Sequence, residues 1–78
     1  MVRAMSERIV IHPDICNGRP IVGGTRIAVQ SVLEFLAAGD SEQDILDEYP
    51  SLTTEDVRAC LDYASRLMGN AYSIEAVA

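Results

Sequence analysis

Side chains capable of chemistry are scarce in this sequence of 78 residues, which contains one histidine, two cysteines, six arginines and no lysine. His12 precedes Pro13 and Asp14, so we interpret it as a turn residue rather than a general base or a ligand. No Cys–His spacing is suited to zinc. We therefore predict no enzymatic activity, no metal, no cofactor and no small-molecule substrate.

A glycine-rich stretch, GRPIVGGT at residues 18–25, is the second candidate for chemistry, as a phosphate-binding loop. It lacks both the lysine of nucleotide-binding P-loops and the glycine spacing of dinucleotide-binding folds. Backbone geometry explains these glycines better, because glycine adopts left-handed conformations without a steric cost.

Arginine provides all of the positive charge, and five arginines are candidates for contact with DNA or a protein partner: Arg3, Arg8, Arg19, Arg26 and Arg58. The first four would form a basic arm that contacts phosphates, a minor groove or the carboxylates of an acidic partner. The alternative is that Arg26 bonds the local backbone or a nearby acid and that the others are merely solvated.

The overall charge opposes non-specific binding of nucleic acid. Twelve acidic residues against six arginines give a net charge of -6, whereas such binding depends on neutralising phosphates. Glu55 and Asp56 open the third predicted helix, where they would oppose phosphates if this helix entered a major groove. The alternative is that they stabilise the N-terminus of the helix.

Length and composition predict one small globular domain. Hydrophobic residues make up 49% and charged residues 23% of the chain, and a chain this short buries a modest share of its surface, so a homodimer is expected. No apolar run reaches the length of a membrane span, and residues 1–8 do not resemble a signal peptide, so we expect a cytoplasmic protein without membrane contact. Cys16 and Cys60 are predicted to be reduced and buried.

The hydrophobic periodicity predicts a mainly α fold, a three-helix bundle with the outline of a helix-turn-helix, preceded by a short β-hairpin or β-arm. Homeodomain-like and winged-helix-like bundles share this outline. The predicted segments are a flexible arm at 1–8, a single domain at 9–68 and a tail at 69–78 that is either frayed or docked. Within the domain, the β-arm covers 9–27 and the helices cover about 29–38, 42–48 and 54–68.

Two pairs, Ser41 with Asp44 and Thr53 with Asp56, have the spacing of capping boxes at the second and third helices. The third helix is predicted to bury one apolar face, formed by Val57, Cys60, Leu61, Ala64, Leu67 and Met68. Substitution of Leu61 by aspartate is then expected to be among the most damaging changes, because it would bury a charge.

The segment GRPIVGGTRIAV at residues 18–29 resembles the signature of the bacterial domain-of-unknown-function family 433. Three later segments resemble the family in order and spacing: LAAGDS at 36–41, ILDEYPSLT at 45–53 and DVRACLDYA at 56–64. The signature residues, interpreted as mainly structural, are Gly18, Pro20, Gly24, Thr25, Arg26 and Ile27.

The resemblance implies a homeodomain-like helix-turn-helix fold, and many members of the family resemble antitoxins of VapB type encoded beside a PIN-like ribonuclease toxin. We therefore expect an antitoxin-like module that binds and silences such a toxin and represses its own promoter at operator DNA. Either an acidic surface would meet the basic groove of the ribonuclease, or an arginine of the arm would enter its acidic metal site. The rival interpretation is a stand-alone DNA-binding regulator, and a plain scaffold is the third.

Overall fold

Short antiparallel strands precede three helices in the computed structural model, which describes the backbone of residues 3–75 and the side chains of residues 5–69. The strands are β1 (Arg3–Ala4), β2 (Ile9–Ile11) and β3 (Pro20–Val22), with a single 3-10 turn at Cys16–Gly18 before β3. The helices are α1 (Val29–Ala37), α2 (Glu42–Glu48) and α3 (Thr54–Glu75). The mainly helical fold with a preceding β-arm is therefore confirmed.

The three strands form one sheet in the order β1-β2-β3, with both pairs antiparallel. Ile9 lies opposite Val22 and both belong to the buried core, while Val10 lies opposite Ile21 on the other face. This alternation follows from the two-residue period of a strand. The sheet thus presents one face to the helices and leaves the other as an outer face.

The range that the sequence assigned to a flexible N-terminal arm, residues 1–8, contains a short strand in its described part. β1 pairs with β2, and Ser6 closes the turn between them by accepting hydrogen bonds from the backbone N–H groups of Arg8 (3.4 Å) and Ile9 (3.2 Å). The edge of β2 offers unpaired backbone groups that a preceding segment can satisfy, which favours a third strand.

The helix starts agree with the capping signals. Ser41 Oγ accepts from Asp44 N at 3.1 Å and Ser41 N donates to the Asp44 carboxylate at 2.9 Å, a complete capping box. Thr53 and Asp56 repeat it at α3, at 3.2 and 2.9 Å. Each box satisfies amide groups that have no partner inside the helix.

The third helix is longer than predicted. The sequence suggested an end near residue 68 and a separate tail from 69, but α3 continues to Glu75. A glycine inside a helix costs only about 1 kcal/mol relative to alanine, so Gly69 does not by itself end the helix. The predicted helix end near residue 68 is therefore too early, and residues 69–75, which the sequence assigned to a tail, continue α3. Residues 76–78 lie outside the described part.

The core lies between the inner face of the sheet and the three helices. Its buried residues are Ile9, Val22, Val29, Val32, Ile45, Leu52, Val57 and Cys60. Among the described side chains of α3, the buried ones lie in the first turns, whereas Leu61 is 46% exposed, Leu67 53% and Met68 67%. The prediction that these three residues are buried is therefore wrong. Leu61 lies at the edge of the buried face, since Cys60 before it and Tyr63 after it contact the core, and the short α1 and α2 leave Leu67 and Met68 exposed.

The two cysteines differ. Cys60 is fully buried in the core as predicted, whereas Cys16 is only partly buried. The backbone of Cys16 has a φ of 52°. Cys16 lies in the connection between β2 and β3, which the helices do not cover, so the prediction of burial is wrong for this residue. None of the helices within residues 3–75 combines the length and the apolar character needed to cross a bilayer.

Candidate functional site

The loop that follows β3 is held by a closed set of hydrogen bonds. The Thr25 hydroxyl donates to the Val22 carbonyl at 2.7 Å and accepts from Ile27 N at 3.0 Å. Val22 N donates to the Ile27 carbonyl at 3.0 Å, and Gly24 has a φ of +80°, which favours glycine. Gly24, Thr25 and Ile27 of the signature thus have contacts that shape the backbone.

A second loop, between β2 and β3, packs against the first. The Cys16 thiol donates to the Arg26 carbonyl at 3.2 Å, and Asp14 N donates to His12 Nδ1 at 3.1 Å, the turn role expected for this histidine. Gly18 has a φ of +77° and precedes the start of β3, where Pro20 lies opposite Ile11. The contact between Cys16 and Arg26 therefore joins the two loops, which share a surface on the outer side of the sheet to which Gly24, Thr25 and Arg26 of the signature contribute.

This surface contains a groove of about 500 Å³. Its lining residues are Val10, His12, Ile15, Ile21, Gly23, Gly24, Thr25 and Arg26. Arg26 is exposed at its edge, and no described side chain hydrogen-bonds the guanidinium. The proximity of His12 and Arg26, 14 positions apart, was not predicted from the sequence, because it arises from the loop-to-loop contact.

The candidate arginines are dispersed, except that Arg8 and Arg58 line the same groove beside α3. Two of the five, Arg8 and Arg19, form hydrogen bonds within the chain. Arg8 Nη1 donates to the Asp56 carboxylate at 3.0 Å. Arg19 donates to the Cys16 carbonyl at 3.1 Å and to the Gln30 amide oxygen at 3.0 Å. Arg58 is exposed without a described side-chain partner, and the Arg3 side chain lies outside the described part.

Asp56 is the one buried charged side chain among residues 5–69. Burial alone would raise the pKa of its carboxyl, but hydrogen bonds from Thr53 N, Arg8 and the Thr53 hydroxyl outweigh burial and lower the pKa. This acid therefore serves the helix N-terminus and the ion pair with Arg8. It is not available to oppose a phosphate.

The exposed face of α3 carries charges of both signs. A groove of about 490 Å³ is lined by Ser6, Glu7, Arg8, Glu55, Arg58, Ala59, Asp62 and Arg66. Arg66 also pairs with Asp62 at 3.1 Å, one helical turn away. Because three arginines and three carboxylates alternate here, this face has little net positive charge with which to attract nucleic acid.

The acidic charge is concentrated on α2. Asp40, Glu42, Asp44, Asp47 and Glu48 fall within nine residues, and among the described residues none of them forms an ion pair. Hydrogen bonds from Ser41 lower the pKa of the Asp44 carboxyl, so it stays ionised at neutral pH. One side of the molecule is thus strongly negative.

The Cys60 thiol is poorly reactive in the folded chain. Burial, and to a lesser degree the Asp56 charge, raise the pKa of the Cys60 thiol to about 11, so that it is a poor nucleophile. Within residues 5–69, no three side chains of the metal-binding types converge on one point.

Comparison with known families gives a match over residues 9–64 to the family described as "Protein of unknown function (DUF433)". The chain belongs to the DUF433 family. The matched range includes both loops, α1, α2 and the first half of α3, and ends close to the point where α3 becomes exposed.

Two proteins illustrate the similarity. The uncharacterized protein y4eO of Sinorhizobium fredii is 41% identical over 61 residues, which make up 78% of this chain and 28% of that protein. The crystal structure of a DUF433 member from Anabaena variabilis has a TM-score of 0.73 at 32% identity, over 76% of this chain and 58% of that one. This chain therefore spans less than two thirds of the length of either protein.

Proposed function

We propose that this chain is an antitoxin-like binding module of a bacterial toxin–antitoxin pair, which binds and silences a PIN-like ribonuclease. In this proposal α2, the turn after it and α3 act as a helix-turn-helix of VapB-like antitoxins, and repression of the module's own promoter at operator DNA is a secondary role. The kind of partner comes from the resemblance of the signature and helix segments, while the contacting surface is argued from charge.

The observation that carries the proposal is the separation of charge. The carboxylates of α2 have no described arginine partner, whereas Arg8, Arg19 and Arg66 are all engaged within the chain. A ribonuclease that grips RNA has a basic groove, and a cluster of carboxylates is attracted to such a groove. The same cluster repels nucleic acid, which would otherwise compete for the protein.

The test uses the product of the adjacent gene as the candidate ribonuclease, mixed with this chain and a labelled RNA. We expect the chain to co-purify with it and to suppress cleavage. The double variant Asp47→Asn, Glu48→Gln should slow association about tenfold at low salt, because charges at the edge of an interface act mainly on the association rate.

The matched control is Glu7→Gln with Glu55→Gln, which makes the same change in net charge on the mixed-sign face, where both residues are exposed. This control should associate as fast as the wild type. A ribonuclease that cuts RNA equally well with and without the chain would refute the proposal.

The alternative arrangement, in which an arginine of this chain binds carboxylates of the enzyme, has its own test. Arg26 is exposed at the edge of the outer groove, where it could enter the acidic metal site of the enzyme. Loss of inhibition in Arg26→Gln, with the α2 double variant unaffected, would assign the inhibitory contact to Arg26 instead of α2.

A stand-alone DNA-binding regulator is the second candidate, favoured by the exposed and unengaged Arg58 in the third helix. This candidate requires binding to DNA upstream of the gene that weakens steeply with salt and weakens further in Arg58→Ala. The absence of any binding at low salt would exclude it.

A further inference from the structure

The second half of α3 has an apolar side without a partner in its own chain. Within residues 61–69 none is buried, and Leu61, Leu67 and Met68 are the large hydrophobic residues that the described part of the chain leaves exposed. A helix of 22 residues is about 33 Å long. Because helices in water derive most of their stability from tertiary packing, a helix with this much uncovered apolar surface requires a partner.

Beside these residues lies an apolar groove between α1, the start of β3 and α3. It has a volume of about 280 Å³ and is lined by Arg19, Pro20, Val29, Gln30, Leu33, Tyr63, Ala64 and Leu67. A cavity of about 150 Å³ already accommodates benzene, so this groove has room for a large aliphatic side chain. The small Ala64 side chain lets another helix approach closely.

We propose that a second copy of this chain occupies the groove, so that two α3 helices pair about a two-fold axis. The same patch offers side chains that can insert and a groove that can accept them, since Leu61 and Met68 are exposed beside the groove that Ala64 and Leu67 line. A two-fold interface requires such self-complementarity, because the same patch contributes both sides of the contact.

The spacing of apolar residues in α3 supports a helix as the occupant. Val57, Cys60, Ala64 and Leu67 follow one another at intervals of three, four and three residues, and the sequence continues this spacing with Ala71 and Ile74 inside the helix. A repeat of about 3.5 residues is the pattern with which helices pair along their length. The first two positions are buried in the core, whereas Ala64 and Leu67 line the groove and are left for the second copy.

Charge supports a copy of the same chain despite its net charge of -6. Among the described residues that line the groove, none is acidic, although the chain has twelve acids. The carboxylates of α2 lie outside this lining, so the pairing need not bring the most strongly charged segments into contact. This inference is independent of the ribonuclease, and its test uses the chain alone.

The test is sedimentation velocity of the purified chain over a range of concentrations. The wild type should sediment as a dimer, at twice the chain mass of 8.5 kDa. Leu67→Glu and, separately, Met68→Glu should each weaken the dimer by about 100-fold or more, because they place a charge at the centre of an apolar contact. Both residues are exposed in the single chain, so circular dichroism should show that the fold is retained.

Arg66→Gln is the matched control. It makes the same change of one charge unit on the same helix, at a side chain that is 74% exposed and whose ion pair with Asp62 lies outside the groove. This variant should remain a dimer. A wild type that stays monomeric at millimolar concentration, or dimers that persist in both glutamate variants, would overturn the proposal and leave this side of α3 to a different protein.

Discussion

Replacement of Asp56 by alanine tests how the N-terminal arm is joined to the third helix. Asp56 is 8% exposed, and its carboxylate accepts one hydrogen bond from Thr53 N at 2.9 Å and one from Arg8 at 3.0 Å. The variant would therefore lose half of a capping box and an ion pair at once.

The cost follows from these contacts. Loss of helix capping costs about 1 kcal/mol. The Arg8 side chain is 44% exposed, so solvent screens the ion pair and it contributes no more than about 1 kcal/mol. A total near 2 kcal/mol corresponds to a fall in melting temperature of roughly 8–16 °C for a domain of this size. Thermal unfolding followed by circular dichroism at 222 nm measures this fall.

Asp44→Ala is the control, because it removes the same capping box from α2, where the carboxylate is exposed and no arginine is near. Asp44→Ala should lower the melting temperature clearly less than Asp56→Ala does. Arg8→Gln should lower it by part of the Asp56 effect and should have no additional effect in the double variant, since both changes remove one ion pair. Equal melting temperatures for Asp56→Ala and Asp44→Ala would refute this account of the arm.

The pH dependence has a defined sign. The folded-state pKa of Asp56 is lower than its unfolded value, so its contribution to stability is fully present above the unfolded pKa of about 3.9. The contribution is lost as the pH falls through the folded-state pKa. The wild type should therefore lose more stability than Asp56→Ala on acidification below about pH 4.

Two further predictions concern α3 and the cysteines. Leu61→Asp should lower the free energy of unfolding by about 1 kcal/mol or less at micromolar protein concentration, because Leu61 is 46% exposed. Val57→Asp should lower it by on the order of 3–5 kcal/mol, because Val57 is 1% exposed. Equal urea midpoints for the two variants would contradict the assigned core. Cys60, with its pKa raised to about 11 by burial, should react with a thiol reagent at pH 8 only after unfolding, whereas the partly exposed Cys16 should react in the native state. Modification of both thiols at the same rate in the native state would disprove this difference in reactivity. Because unfolded Cys60 loses its proton above about pH 8.5 while folded Cys60 keeps it, the protein should become less stable as the pH rises from there toward 11.

The elements were predictable where local chemistry determines them. The capping pairs Ser41–Asp44 and Thr53–Asp56 set the starts of α2 and α3, and the observed bounds of α1 and α2 agree with the apolar spacing to within one residue. The end of α3 was not predictable in the same way, because Gly69 is compatible with both a helix end and a helix interior.

The surfaces depended on contacts between distant residues. Arg8 and Asp56 are 48 positions apart, and no local pattern indicates that they meet. The arginines appeared in sequence as a basic arm, yet the fold engages Arg8 and Arg19 and leaves Arg26 exposed. A list of charged residues cannot distinguish these cases, because engagement depends on tertiary distance.

By itself, the sequence determined the order of β2, β3 and the three helices, the starts of the last two helices and the core positions Val57 and Cys60, since turns, caps and periodicity act over a few residues. Only the tertiary structure decided which part of the apolar stripe of α3 is buried. Val57, Cys60, Leu61 and Leu67 are all apolar, but the packing of α1 and α2 buries only Val57 and Cys60. Burial is a property of what packs against a residue, and the length of a neighbouring helix is not encoded in the residue itself.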